Sequence, residues 1–210
     1  MEIIIVDIED IQKLNIQNEI EYLIIKLKIE DFKLFENYNN KINKLNITNN
    51  ILTSFEGLNF DINTLYCFNN QINSFEGLNV KINELFCEEN YITSFEGLKY
   101  PMNKLDCSCN KITSFEGLKF PINKLICSYN QINSFKELNI EIDELDCSCN
   151  KIISFEGLNK VKKINCSYNY ISSFKELEFP IYTIVCYNNQ IQSFEELKVK
   201  IDELYMNKIY

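Results

Sequence analysis

Apolar and polar positions alternate over short runs, and the alternation returns every twenty residues. In Leu105-Asp106-Cys107-Ser108 the apolar pair is flanked by polar neighbours, and it recurs as Leu65/Cys67, Leu85/Cys87, Leu125/Cys127, Leu145/Cys147, Ile164/Cys166 and Ile184/Cys186. A period of two predicts a half-buried strand at each place. A unit this short cannot bury its own apolar face. Successive units must therefore stack into a solenoid with one continuous core and a parallel sheet.

An asparagine follows each strand: Asn50, Asn70, Asn90, Asn110, Asn130, Asn150, Asn169 and Asn189. One step is a residue short, between Leu158 and Ile164, and predicts a loop there. A buried asparagine where the chain leaves the strand can donate to and accept from loop backbone of its own turn and the next, which reads as a structural ladder. Ser-Phe-Glu-Gly-Leu comes next, or Ser-Phe-Lys-Glu-Leu and Ser-Phe-Glu-Glu-Leu. Serine with glutamate three residues on is a capping box, and predicts a short helical or 3-10 turn at each serine. Glu137, Glu176 and Glu196 replace glycine at one position, so the backbone there is expected not to need a positive φ. Phe55, Phe75, Phe95, Phe115, Phe135, Phe155, Phe174 and Phe194 are expected to point inward as an aromatic spine. Pro101, Pro121 and Pro180 suit an extended return segment.

In this frame residues 1–24 form a strand-rich N-terminal cap, and 25–44 a degenerate first repeat with Phe35 where Phe55 stands one unit later. Residues 45–203 hold about eight repeats, and 204–210 begin a further rung. The pattern L-x-x-L-x-C-x-x-N-x-I-x-S-F-x-x-L, as in Met102 to Leu118, resembles the leucine-rich repeat in its short twenty-residue form, known from bacterial effectors and giant-virus proteins. The resemblance implies an α/β-type repeat solenoid: a curved array with a concave parallel β-sheet, the usual partner-binding face, and short turns, 3-10 or extended segments on the convex side. The chain departs from family patterns in lacking paired-cysteine caps and a ubiquitin-ligase domain.

Composition narrows the function. With 46 % hydrophobic residues, the 210-residue chain can sustain one elongated domain without staples. A net charge of −9 and the absence of arginine argue against nucleic acid, which needs a basic stripe. The excess of Ile, Asn and Lys points to an AT-rich genome. No apolar run is long enough for a membrane span, and Met1-Glu-Ile-Ile-Ile-Val-Asp7 is too short for a signal-peptide core, so a cytoplasmic location is expected, in the host cell if the source is viral. Of nine cysteines, seven share one inward column as small apolar residues. The pairs Cys107/Cys109 and Cys147/Cys149 lie two rungs apart, roughly 10 Å, too far to share one ion, so no metal or cofactor is expected. Histidine is absent, which excludes constellations that depend on it. Glu88-Glu89 reads as a solvated acidic patch, and no enzyme is expected.

What remains is the exposed side of the sheet. Tyr66, Phe68, Phe86, Glu88, Asp106, Asp146, Tyr187 and Tyr205 are predicted to face outward, joined at the strand exits by Tyr91, Tyr129 and Tyr168. Aromatics interleaved with carboxylates are what a protein-binding face presents; the same tyrosines could instead stack rung on rung to steady the sheet. The expected function is a non-catalytic scaffold or adaptor that binds a protein partner there. The alternative is self-association through the last rung, Leu204-Tyr-Met-Asn-Lys-Ile-Tyr210, which carries no polar cap.

Overall fold

The computed structural model describes residues 2–7, 9–10, 14, 19–35, 38, 41–159 and 161–208. Each repeat contributes one short strand: β1 (Glu2–Ile5), β2 (Ile20–Ile25), β3 (Ile42–Asn46), β4 (Ile62–Tyr66), β5 (Ile82–Phe86), β6 (Met102–Asp106), β7 (Ile122–Ile126), β8 (Ile142–Asp146), β9 (Val161–Asn165), β10 (Ile181–Val185) and β11 (Ile201–Tyr205). They form one parallel sheet in chain order, in register, Leu85 beside Leu105 and Leu105 beside Leu125. The short step is absorbed ahead of β9, whose Val161 pairs with Ile142; Lys160, within that loop, lies outside the described residues. Strands of the N-terminal cap continue the sheet, Ile3 pairing with Leu23 and Leu23 with Leu45.

The chain turns because a buried asparagine satisfies the backbone that turning leaves unpaired. Asn110 Nδ2 donates to the carbonyls of Cys87 (3.0 Å), Cys107 (3.1 Å) and Ser108 (3.1 Å), while its Oδ1 accepts from Ile92 N at 2.9 Å. The same set recurs at Asn70, Asn90, Asn130, Asn150 and Asn169. Each asparagine therefore ties its own turn to the preceding one.

Behind the sheet, the Cys and Phe columns fill the core. Cys67 to Cys166 are fully buried, and burial pushes those thiols well above their ordinary pKa; Cys186 is pushed to about 12. Phe95 and Phe115 stack at 6.0 Å and 3°. Phe194 departs from the expected inward placement: one face stacks on Phe174 at 6.0 Å, and the residue is 48 % exposed because no further turn covers the other.

Three local expectations are corrected. From Ile20 to Tyr205 the only helical element among the described residues is a 3-10 turn, Lys33–Phe35, so the solenoid is a β-strand and turn array and the α/β-type label does not describe it. At each serine the chain makes a single tight turn, closed in one case by Leu118 N to Phe115 O at 3.1 Å, with Ser114 Oγ accepting from Glu116 N at 3.2 Å. At Ser114 the residue three on is Gly117, so there is no glutamate for a capping box; at Ser134, where Glu137 does stand three on, the hydroxyl again accepts from the N–H two residues ahead, Lys136 N at 3.0 Å. Second, Gly117 does use a positive φ of 86°, and a Cβ on it would fall 2.4 Å from Glu96 N of the turn below. Glu137, Glu176 and Glu196 are not among the positive-φ residues, so two loop conformations serve one position. Third, Phe32 and not Phe35 is the counterpart of Phe55: Phe35 N bonds Phe32 O as Leu58 N bonds Phe55 O. The first repeat is longer than twenty residues, which a fixed-period frame misses.

Truncating the spine mid-array with Phe115→Ala should cost about 3–5 kcal/mol in denaturant unfolding, from lost burial plus a cavity. Gly117→Ala should cost more than about 1 kcal/mol, since strain and a backbone clash coincide, whereas Lys119→Ala on the exposed turn should stay within about 0.5 kcal/mol. Equal small effects at all three would contradict the inward spine.

Candidate functional site

From β3 to β10 strand positions one and four are buried, as in Met102 and Leu105, and positions two, three and five face outward, the buried Thr64 excepted. The residues predicted for partner binding divide into two groups by this geometry. Tyr66, Phe68, Phe86, Glu88, Asp106, Asp146, Tyr187 and Tyr205 lie along the sheet floor. Tyr91, Tyr129 and Tyr168 stand at the exit edge, where strands give way to turns.

Floor side chains are largely engaged with one another. Tyr66 and Phe86 stack at 4.9 Å and 17°, in adjacent strands whose register places them side by side. Lys104 Nζ sits 4.3 Å from the Phe86 ring centre, a cation–π contact. Asp106 accepts from Ser108 Oγ at 2.6 Å, and Asp146 from Ser148 Oγ at 2.7 Å and Asn165 Nδ2 at 3.2 Å. Between these, Lys124 and Lys163 both reach Glu144, at 2.8 and 3.5 Å, and the Lys124 ammonium holds the Glu144 carboxyl below its usual range. Lys104, Lys124 and Lys163 were missed because the strand was read as starting at its leucine. Position three alternates with the buried position four and so shares the outward face with position five, which made the column Lys104, Lys124, Glu144, Lys163 legible once the strand was extended towards its N-terminus.

Glu88 is the exception on the floor. Its Oε2 is shielded from solvent and accepts no hydrogen bond. Burial, with the Asp106 charge adding to it, pushes its pKa up to about 7, so the protonated carboxyl can donate to Asp106.

At the exit edge the backbone adopts one conformation throughout. The residue before each ladder asparagine has φ between 52° and 57°: Asn49, Asn69, Glu89, Cys109, Tyr129, Cys149, Tyr168 and Asn188. That region suits asparagine, whose side chain can bond locally, and costs other side chains about 1–2 kcal/mol. The terminal repeats carry asparagine there and the middle ones do not. The tyrosines gain little burial in return, Tyr129 being 63 % and Tyr168 59 % exposed. Cys109 and Cys149 occupy the same column, and the Cys149 thiol beside the Tyr129 hydroxyl pushes the phenol's pKa up. Tyr91 differs, lying under Lys111 Nζ at 4.5 Å.

A surface depression at the opposite end of β8 to β11, between Tyr182, Phe179 and Pro180, has its charges internally matched, with Lys162 on Asp143 at 2.6 Å. Among the described residues no group of three or more metal-ligating side chains comes together.

No protein-family model and no curated protein sequence matches the chain. Among solved structures it is similar to the functional domain of InlJ from Listeria monocytogenes, a domain that includes a cysteine ladder, at 20 % identity and a TM-score of 0.56. The match covers 96 % of this chain and 51 % of that one, so the chain spans about half the length of the structure it resembles. The likeness concerns the fold: this is a parallel-strand solenoid of leucine-rich-repeat type.

Alkylation of the native protein should modify Cys109 and then Cys149, with the seven column thiols reacting only after denaturation, as mass spectrometry of digested protein would show. Early labelling of Cys107 or Cys127 would contradict the buried column. Because folded Glu88 holds its proton more tightly than the unfolded chain, its contribution to stability falls as pH rises from the ordinary glutamate range through about 7. Glu88→Gln should remove that loss. Its melting-temperature advantage over the parent should grow between about pH 5 and pH 8, to on the order of 1 kcal/mol after allowance for partial exposure. A difference constant with pH would refute the shifted carboxyl.

Proposed function

We propose that the protein is a non-catalytic scaffold whose sheet side, floor and exit edge together, binds another protein. The observation that carries this reading is aromatic surface left on an otherwise internally satisfied face: Tyr66, Phe68 and Phe86 at one end of the floor, Tyr187 and Tyr205 at the other. Large amphipathic rings of this kind supply most of the energy in protein interfaces. Nothing in the arrangement supports chemistry. The floor carboxylates Asp106, Glu144 and Asp146 are engaged with serine, asparagine or lysine, and the raised carboxyl of Glu88 faces Asp106 amid buried column thiols whose own pKa is pushed well above the ordinary range. The solenoid fold, which hosts interaction surfaces widely, agrees with this reading without identifying a partner.

A second reading, self-association, draws support from β11, which among the described residues pairs with β10 alone, and from the half-exposed ring of Phe194. A mass that rises with concentration in sedimentation, and falls to the monomer value in Phe194→Ser, would favour it.

Replacing Tyr66, Phe68 and Phe86 together by Ser should lower capture of a partner from the native cell at least tenfold while the variant keeps its strand signal. Full capture by a folded triple variant would remove the floor from the proposal.

A further inference from the structure

The exit edge differs from the rest of the molecule in charge. The chain carries 30 acidic residues and a net charge of −9, yet stretches 107–115, 127–135, 147–155, 166–174 and 186–194 contain no Asp or Glu at all. Their only charged residues are Lys111 and Lys151, both exposed and two rungs apart. Acids concentrate elsewhere: on the Phe-Glu turns at Glu76, Glu96, Glu116 and Glu156, and around the strand starts at Glu141 and Asp143. From Cys107 onward the solenoid is thus polarised across its section, with a neutral to basic edge on an acidic body, whereas the same stretch of the preceding rung carries Glu88 and Glu89.

The same edge carries the exposed tyrosines. Tyr129, Tyr168 and Tyr170 are each more than half exposed, and Ile153 stands 62 % exposed beside them. Two of those tyrosines occupy left-handed backbone, at φ 54° and 57°, where asparagine would sit without strain and does so at Asn49, Asn69 and Asn188. Packing gives no reason for tyrosine at these positions. Residues held in an unfavourable conformation without a folding benefit mark surface kept for contact, and Tyr with Ser and Asn is a composition suited to protein recognition.

Resting on the scaffold reading above, we infer that within that surface the exit edge, centred on Tyr129 and Tyr168 with Lys111 and Lys151, is the part that takes an acidic protein segment carrying large apolar side chains. The carboxylates of such a segment are repelled by the acidic body and find, beyond Glu88 and Glu89, an edge that carries Lys111 and Lys151 and no acid from Cys107 to Phe115 or at the same place in each later rung. Its apolar side chains lie between tyrosine rings about 10 Å apart, the spacing of two rungs. The two lysines receive carboxylates at a similar separation.

The test uses a random peptide library displayed on phage, selected against the immobilised full chain. Enriched peptides are expected to combine Asp or Glu with Leu, Ile, Phe or Trp. Their affinity for synthetic versions should fall at least tenfold in Tyr129→Asn/Tyr168→Asn, and at least fivefold in Lys111→Gln/Lys151→Gln. Glu76→Gln/Glu96→Gln, on the acidic Phe-Glu turns away from the edge, should bind within twofold of the parent. The asparagine variant should also melt about 2–4 °C higher for each substitution, because asparagine relieves the left-handed backbone. That rise separates lost contact from lost structure. Enrichment of basic or uncharged peptides would overturn the inference, as would affinity untouched by the edge variants or a lower melting temperature for the asparagine variant. If peptides bind but only the floor variant Tyr66→Ser/Phe86→Ser loses them, the scaffold reading stands and the edge assignment fails; if no peptide is enriched, both fall.

Discussion

One side-chain amide per turn holds the architecture together. An asparagine that donates to three carbonyls and accepts from the N–H of the preceding turn can be buried only if that preceding turn is present at the right height. The bond set thereby enforces the spacing of neighbouring strands and makes each unit depend on the one before it. Other columns follow from this spacing. Rings at the Phe position stack at about 6 Å, as at Phe115 and Phe135, and the position beside the ladder must be small and apolar, which cysteine satisfies. Gly117 approaches the turn below closely enough to exclude a Cβ.

Columns fixed by translational repetition were legible in the sequence, because identical environments select identical residues: the strand pair, the asparagine, the phenylalanine and the buried cysteines. What was not legible lay where the environment has two solutions or the period changes. Glycine and glutamate at one loop position suggested a single conformation, and the structure has two. The Ser-x-x-Glu pattern suggested a capping box, but the serine hydroxyl alone meets the free N–H of a turn too tight to become a helix. Phe35 was aligned by counting twenties back, and the longer first repeat moves the spine position to Phe32. Those errors share a cause: periodicity reports the shared core and says nothing of the loops that adjust around it.

The candidate site was legible as composition and not as geometry. Alternation brought Tyr66, Phe86, Asp106 and Asp146 to the sheet face, where they do stand. It could not show that Asp106 and Asp146 are occupied by their own serines, that Lys104 covers Phe86, or that Glu88 shares its surroundings with another carboxylate. Those facts depend on which neighbour lies one rung away, and hence on the three-dimensional register. They divide the predicted residues into a floor that satisfies itself and an edge that does not.

That division has an energetic basis. A floor residue is flanked by strands on both sides, so its side chain gains a partner almost wherever it points, and stacking or ion pairing offsets the loss of side-chain freedom. Exit-edge residues project from turns whose backbone is already satisfied by the ladder, so a ring there neither helps the fold nor is required by it. Local strain at Tyr129 and Tyr168 then opposes stability, and the return is small: at Tyr129 it is the Cys149 thiol beside an exposed hydroxyl. In a repeat protein this freedom is unusual in being localised: the core columns hold the register, and one position per turn remains whose residue identity the fold does not set.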